Sequence, residues 1–287
     1  MEIQHFYDER TSTLSYVVYD RDARIGLVID PVLDYDPASG RTWTGSAAAI
    51  AAFLDENALR VPHVLDTHAH ADHLSALPFF KERYGAETTI GAEIVRVQET
   101  FKALFHLGED FVPDGRDFDR LLGDGERLAV GPFEIEAIHT PGHTPACMSY
   151  RIGDAVFVGD TLFQPDYGTA RCDFPGGSAA DLHASVHRLY ATLPPETRVF
   201  TCHDYRPEGR PLAFESTIAE QRAHNVQLND STSAEEFIEL RKARDARLDM
   251  PTLILPSIQV NIRAGAMPRP ESNGVSYLKI PLNQLGR

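Results

Sequence analysis

The sequence lacks the uninterrupted apolar run of about 18 residues that a membrane-spanning helix requires. Residues 1–6 do not combine a basic segment with an apolar one, so we expect no secretory signal peptide. The chain has only three cysteines in 287 residues, too few and too scattered for a disulfide framework. This scarcity indicates a reducing compartment. Together these absences predict a cytoplasmic protein that does not contact a membrane.

Basic residues are also scarce, with 27 Lys and Arg against 42 Asp and Glu, which gives a net charge of −15. Binding to nucleic-acid phosphates needs clustered basic side chains, so we expect no nucleic-acid partner. The acidity is explained by solubility alone. Neither internal repeats nor a low-complexity linker divide the chain. We therefore predict a main domain over residues 1–230, with a C-terminal helix and tail over residues 231–287 packed on the same domain.

Alternating and helical patterns divide each half of the chain into strands followed by helices. Strands are predicted at 2–7, 13–19, 25–30, 63–66, 88–90, 126–130, 133–139, 147–152, 155–158 and 199–201. Helices are predicted at 46–57, 75–84, 93–107, 178–193, 215–228 and 233–248. Loops are predicted after Pro31, around Asp36-Pro37 and Ser39-Gly40, and at 108–124 and 159–177. This order predicts two sheets covered by helices, an α/β layered sandwich.

The most informative stretch is Thr-His-Ala-His-Ala-Asp-His at residues 67–73, directly after a short apolar strand. The period of two in a strand places His68 and His70 on one face, and Asp72 and His73 follow as the chain turns. Such a cluster can hold one or two metal ions. The alternative is a polar loop with scattered histidines. Because the whole chain has only twelve histidines, this clustering favours a metal site.

Three later strands each end in a possible metal ligand, namely His143, Asp160 and His203. Pro141 and Gly142 predict a tight turn that presents His143. A single polar side chain at a strand end is usually just a solvated loop residue. Sites in α/β folds nevertheless form where strands end, so we predict that these side chains join the first cluster in binding metal.

Residues 67–73 and 141–144, with Gly159-Asp160 and His203, resemble the motif series of the metallo-β-lactamase superfamily in order and spacing. The resemblance extends over most of the chain between residues 10 and 210. It implies an αββα four-layer sandwich with a metal site at one edge of the sheets, followed here by a short helical C-terminal extension. In hydrolases of this superfamily such as glyoxalase II, a ligand set of this kind can hold two zinc ions bridged by a residue in the position of Asp160.

The persulfide dioxygenase subgroup is more similar still, through residues 29–33, 67–73, 171–174, 183–187, 203–205 and 261–265. That resemblance implies one Fe(II) per chain, held by His68, His143 and Asp160. Two imidazoles and one carboxylate leave positions free for a sulfur and O2 together. The remaining members of the cluster, which would orient these ligands and handle protons as catalytic residues, are His70, Asp72, His73 and His203.

The implied activity is oxidation of glutathione persulfide with O2 and water to sulfite and glutathione, a sulfide detoxification. Arg171 lies in the loop after Asp160 and can pair with a glutathione carboxylate, although a surface salt bridge is the competing interpretation. Asp173 is expected to fix that loop or Arg171. Tyr205 and Arg222 match positions near the substrate pocket of the subgroup. We interpret Cys172 as a small buried thiol, and a contact with the substrate sulfur stays open.

Two other functions compete with this hypothesis. One is a dinuclear zinc hydroxyacylglutathione hydrolase of the glyoxalase II type, in which a metal-bound hydroxide attacks a carbonyl. The other is a non-catalytic, sulfide-responsive protein with a structural metal. Structural zinc sites favour cysteine ligands, and no two cysteines of this chain have metal-binding spacing, which disfavours it. The sequence leaves the oligomeric state open, with a homodimer as one candidate.

Overall fold

The computed structural model describes residues 1–285. Its first six-stranded sheet comprises, in spatial order, β1 (Glu2–Asp8), β2 (Thr13–Asp20), β3 (Ile25–Ile29), β6 (His63–Leu65), β8 (Glu87–Gly91) and β9 (Arg120–Leu122). The second comprises β10 (Arg127–Val130), β11 (Phe133–His139), β12 (Met148–Ile152), β13 (Ala155–Phe157), β14 (Arg198–Phe200) and β15 (Glu215–Thr217). A small third sheet contains β5 (Arg41–Trp43), β4 (Val32–Asp36) and β7 (Leu74–Ser75).

The helices are α1 (Gly45–Glu56), α2 (Leu77–Tyr84), α3 (Ile94–Leu104), α4 (Ala179–Thr192), α5 (Ile218–His224), α6 (Ala234–Asp245) and α7 (Ile254–Asn261). A 3-10 turn spans Pro207–Gly209. Within residues 1–285, every helix falls short of the length and apolar character needed to cross a membrane.

Strand β2 shows how the alternation of the sequence builds the layers. Leu14, Tyr16 and Val18 pack into the cluster shared with the second sheet. Val17 and Tyr19, which point to the opposite face, pack into the cluster shared with the helices. All five side chains are buried, as expected for a strand covered on both faces.

Each sheet carries its own helical layer. Helices α1, α2, α3 and α7 cover the first sheet through Ile50, Leu54, Phe80, Phe101 and Ile258. Helices α4, α5 and α6 cover the second sheet through Leu182, Val186, Leu189, Ile218 and Phe237. The order helix, sheet, sheet, helix confirms the predicted αββα sandwich. The predicted boundary at residue 230 stays a prediction.

The structure corrects several local predictions. The loops predicted around residues 36–40 and at 108–124 contain β4, β5 and β9, short strands defined by their pairing with other strands. The helix predicted at 215–228 begins as β15, because residues 215–217 pair with β14, and ends at His224. Helix α7 was not predicted, since Pro251 and Pro256 interrupt the helical pattern. Pro256 lies in its first turn, where proline is tolerated.

Candidate metal centre

The histidine-rich loop follows β6 at the edge of the first sheet, and His68, His70 and His73 are almost completely buried there. The carboxylate of Asp30 organises its start. It accepts hydrogen bonds from the Thr67 backbone N–H at 2.7 Å and from the Thr67 hydroxyl at 3.0 Å, and lies 3.0 Å from Nε2 of His70. Asp30 therefore fixes the first turn of the loop and the orientation of one imidazole.

The end of the same loop is held by α7. The side-chain amide of Asn261 donates to the carbonyl oxygens of His70 and His73, each at 2.8 Å, and its oxygen accepts from the Ser75 N–H at 2.8 Å. Asn261 is fully buried. Helix α7 is consequently part of the scaffold that shapes the site.

The structure brings the three predicted metal ligands together from three different strand ends. The ligand atoms of His68, His143 and Asp160 all lie within 4.8 Å of one another. Oδ2 of Asp160 is 3.6 Å from Nε2 of His143 and 4.0 Å from Nε2 of His68. Nδ1 of His143 donates to the carbonyl of Arg171 at 2.7 Å, which leaves the lone pair on Nε2 facing the carboxylate.

The other four predicted residues form an adjoining group. Ligand atoms of His70, Asp72 and His73 also lie within 4.8 Å of one another. Nε2 of His203 lies 3.3 Å from Asp72 and 3.4 Å from Asp160, so His203 connects the two groups. Its Nδ1 donates to the Ser12 carbonyl at 3.2 Å, which again leaves Nε2 without a proton in the neutral ring.

Several atoms at this centre are buried without a hydrogen-bond partner within residues 1–285. They are Nε2 of His68, Nδ1 of His70, Nε2 of His73, Oδ1 of Asp160 and Nε2 of His203. A buried polar atom without a partner costs about 1–3 kcal/mol, so such a concentration is unfavourable unless another group binds there. Imidazole and carboxylate donors fit a transition-metal ion, and the residues present therefore fit a metal site.

Burial and neighbouring charges set the protonation states. Burial lowers the pKa of His68 and of His70 well below the usual histidine value, which keeps both rings neutral and able to bind metal. Although burial opposes it, the carboxylates of Asp72 and Asp160 raise the pKa of His203. Although burial opposes ionisation, His203 and His73 hold the pKa of Asp72 well below its usual range.

A cavity of about 490 Å³ opens onto the centre. Asp72, His143 and Asp160 lie at its inner end, and its outer walls carry Phe163, Tyr167, Tyr205, Arg10, Arg171 and Arg244. The Tyr205 ring stacks on His203 with centroids 5.5 Å apart and contacts Tyr167 at 4.9 Å. Arg244 lies over the Tyr167 ring at 5.8 Å. An aromatic wall thus leads from the outside to the buried imidazoles.

The predicted substrate-binding residues are placed differently from one another. Arg171 and Tyr205 line the cavity. Asp173 pairs with Arg171 at 2.5 Å and 2.7 Å, as expected for a residue that fixes that side chain. Arg222 pairs with Asp230 at 2.9 Å and does not line the cavity, so the contacts give no support to its predicted role.

Cys172 is buried, and burial raises the pKa of its thiol to about 12. It does not line the cavity that opens onto the centre. The interpretation as a buried thiol agrees with these contacts, and a contact with substrate sulfur has no support from them.

Sequence reasoning missed five residues that shape the centre or its cavity: Asp30, Asn261, Arg241, Arg10 and Arg244. Asp30 and Asn261 lie in stretches that carry the family resemblance, and that was their only signal. Arg10 and Arg244 stand out only once the cavity is known. Within residues 1–285, neither guanidinium has a carboxylate oxygen within 4.0 Å.

Comparison with known proteins relates this chain to a metallo-hydrolase and to a glyoxylase. Residues 9–203 match the family model of the metallo-beta-lactamase superfamily. A probable metallo-hydrolase of Burkholderia pseudomallei is 50% identical, with 99% of this chain and 100% of that protein covered. Glyoxylase B2 of Dictyostelium discoideum is 47% identical, with 99% of this chain and 98% of that protein covered.

Similarity to the persulfide dioxygenases is lower in sequence but extends through the fold. The human mitochondrial persulfide dioxygenase ETHE1 is 27% identical, with 92% of this chain and 88% of that protein covered. The crystal structure of ETHE1 from Myxococcus xanthus matches with a TM-score of 0.74 and 30% identity, covering 93% of this chain and 100% of that chain. The resemblance inferred from the sequence motifs is thereby confirmed.

Proposed function

The chain belongs to the metallo-beta-lactamase superfamily, and we propose that it is a non-haem Fe(II) sulfur dioxygenase that converts glutathione persulfide, O2 and water to glutathione and sulfite. The overall change consumes one persulfide, one O2 and one water, and it releases one thiol, one sulfite and two protons. The terminal sulfur is oxidised and O2 is reduced.

The observation that carries the proposal is the group His68, His143 and Asp160. Two imidazoles and one carboxylate from three strand ends converge within 4.8 Å, and the cavity opens on their outer side. Fe(II) held by such a face supplies open coordination positions at which a substrate sulfur and O2 can bind side by side. That the metal is iron belongs to the proposal, because zinc binds the same nitrogen and oxygen donors.

The chain's own residues would hold the substrate's carboxylates. Glutathione has two carboxylates, and four guanidinium groups line the cavity, those of Arg10, Arg171, Arg241 and Arg244. Arg241 is paired with Asp245, which leaves the other three as candidates for the substrate. Arg10 and Arg244 have no carboxylate partner within residues 1–285. Arg171 donates three hydrogen bonds, two to the Asp173 carboxylate and one to the Asp249 carbonyl. A guanidinium has five donors, so one remains on each terminal nitrogen for a bidentate carboxylate.

His203 is the residue best placed to hold a proton released during the reaction. Its Nε2 lies between the carboxylates of Asp72 and Asp160, which raise its pKa. The stacked Tyr205 ring covers it from the cavity side and limits access of water. We propose that His70 and His73 orient this group rather than bind the iron, with His70 fixed through Asp30.

A second candidate function has a specific observation in its favour. Nδ1 of His70 and Nε2 of His73 and His203 are buried without partners, next to Asp72, and this is a second set of possible metal ligands. If each of the two ligand sets bound one zinc ion, the centre would suit a thioester hydrolase of the glyoxalase II type. The names of the relatives at 47–50% identity also point to hydrolysis.

One experiment separates the two candidates. The protein is purified without added metal, its metal content is measured, and it is assayed for oxygen uptake with glutathione persulfide and for hydrolysis of S-lactoylglutathione. About one iron per chain with persulfide-dependent oxygen uptake and stoichiometric sulfite is expected. Two zinc ions per chain with thioester hydrolysis and no oxygen uptake would replace the first proposal by the second.

A further inference from the structure

The segment of residues 169–173 is a thin wall between two cavities. The cavity of about 490 Å³ over the metal centre lies on one side. A second cavity of about 780 Å³ lies on the other, between this segment, the start of α4 and helix α6. Arg171 and Arg241 line both. Thr169, Ala170 and Cys172 are buried, but the segment has no regular secondary structure, so the position of its backbone also depends on the hydrogen bonds that it makes.

Hydrogen bonds from α6 hold this wall at both of its ends. Arg241 and Asp245 form an ion pair one helical turn apart and are 1% and 7% exposed. Arg241 donates to the Thr169 carbonyl at 3.3 Å and to Oε1 of Gln227 at 2.9 Å. At the other end, Asp245 accepts the Cys172 N–H at 2.9 Å.

Between these two anchors lies the one backbone group of the wall that contacts the metal centre. The carbonyl of Arg171 accepts from Nδ1 of His143 at 2.7 Å. That bond selects the tautomer in which Nε2 has a free lone pair, and it sets the plane of the ring. A shift of the wall would therefore move or rotate the imidazole.

The ion pair is not needed to bury this face of α6. Phe237 already packs the helix into the core. Replacing a buried ion pair by apolar side chains of similar volume is often neutral or stabilising. Two buried charges at these positions therefore call for another explanation, and their hydrogen bonds to residues 169 and 172 provide one.

We propose that Arg241 and Asp245 are positioning residues for the metal ligand His143, acting through the backbone of residues 169–172. The inference rests on the proposed function only in taking His143 as a metal ligand, which both candidate activities share. It does not depend on the identity of the metal or of the substrate.

The test is metal affinity rather than turnover. In the variant Arg241→Met/Asp245→Leu both charges are removed together, so that neither is left unpaired. Co(II) is titrated into the metal-free protein against a chelator, and the visible spectrum of the bound ion is recorded. We expect affinity to fall by roughly 10–100-fold with an altered spectrum, as is typical when a group that orients a ligand is lost. The variant should also unfold at a lower temperature, because the Thr169 carbonyl and the Cys172 N–H lose buried partners, so the titrations are made at a temperature at which both metal-free proteins are folded.

The matched control is Glu239→Gln/Lys242→Gln, which removes an exposed ion pair from the same helix. It should keep the affinity and spectrum of the unaltered protein. If the double apolar variant does not fold, Arg241→Lys decides the question. It keeps the charge but lacks the planar fork that reaches Asp245, Gln227 and Thr169 together. Unaltered Co(II) affinity and spectrum in the folded variant would overturn the proposal, even if oxygen uptake changed.

Discussion

Nδ1 of His143 lies 2.7 Å from the carbonyl oxygen of Arg171, so that a proposed metal ligand is held by the same loop that forms a wall of the cavity over the metal centre. The two residues are 28 positions apart in the sequence. Anything that displaces the loop is expected to disturb the metal as well as the substrate. This coupling makes it necessary to measure metal content in every variant of the cavity wall.

Replacement of His143 by alanine should remove one of the three proposed ligands of the iron. Bound iron and oxygen uptake should fall together, with activity reduced by roughly 100-fold or more, since even losing a group that only orients a ligand costs 10–100-fold. Iron per chain and the rate of oxygen uptake are measured on the same samples. His224→Ala, at an exposed position, is the control. Full iron with full activity in His143→Ala would show that the ligand assignment is wrong.

His70→Ala distinguishes one metal from two. If His70 only orients the group through Asp30, the variant should keep a sizeable fraction of its iron and turn over roughly 10–100-fold more slowly. Metal analysis and kcat, compared with those of His143→Ala, provide the measurement. Equal metal loss in the two variants would instead mean that His70 is itself a ligand, as in the dinuclear zinc candidate.

Arg171 should affect substrate binding more than metal content. Arg171→Lys loses the planar guanidinium fork. The resulting fall in kcat/KM for glutathione persulfide should correspond to about 1.5–3 kcal/mol of lost transition-state stabilisation, mainly through a higher KM. The iron should stay bound. A persulfide without carboxylates should be affected much less. Arg222→Lys, outside the cavity, is the matched control. An equal loss on both substrates would make Arg171 a support of the loop, and loss of iron would make it a support of the metal site.

His63 provides a test of pH-dependent stability away from the ligands. Burial lowers the pKa of His63 in the folded protein below that of the unfolded chain. Between these two values the unfolded state binds more protons, so the stabilisation is complete above the unfolded pKa and is lost as the pH falls towards the folded one. We therefore expect the free energy of unfolding of the metal-free protein, measured in urea, to fall less between pH 7 and pH 5 in His63→Gln than in the unaltered protein. The difference in slope should be at most about 1.4 kcal/mol per pH unit. Identical pH profiles would contradict this assignment.

Asn261→Asp tests how far α7 supports the histidine-rich loop. Aspartate keeps an acceptor for the Ser75 N–H, but it cannot donate to the carbonyls of His70 and His73 when ionised and can donate to only one of them when protonated. At least one buried carbonyl oxygen would lose its partner, and an ionised aspartate would also be a buried charge, so the free energy of unfolding should fall by roughly 2–4 kcal/mol, measured by urea denaturation. Asn273→Asp, at an exposed position, should change it by less than about 0.5 kcal/mol. A similarly small change in the free energy of unfolding of both variants would show that α7 does not stabilise the histidine-rich loop.

The parts of the centre that the sequence could predict are those with a local signal. The clustering of histidines within residues 68–73 and the Pro-Gly turn before His143 are visible in neighbouring residues. The strand period does not apply to these histidines, because β6 ends at Leu65 and they lie in the loop after it. The groups that hold these residues have no such signal. Asp30 acts 40 residues away from His70, and Asn261 acts 191 residues away from it. The short strands β4, β5 and β9 were missed for the same reason, because only their partners in space make them strands.

The contact between Asn261 and the histidine-rich loop also has a consequence in time. A ribosome releases residues 67–73 long before it adds residue 261, and His143, Asp160 and His203 emerge in between. On the nascent chain, the carbonyls of His70 and His73 therefore lack their hydrogen bonds from Asn261 until α7 has been synthesised. If the centre binds a metal as proposed, we expect the site to be complete only after α7 has been synthesised, and a chain truncated before α7 to lack the hydrogen bonds that Asn261 donates to the loop.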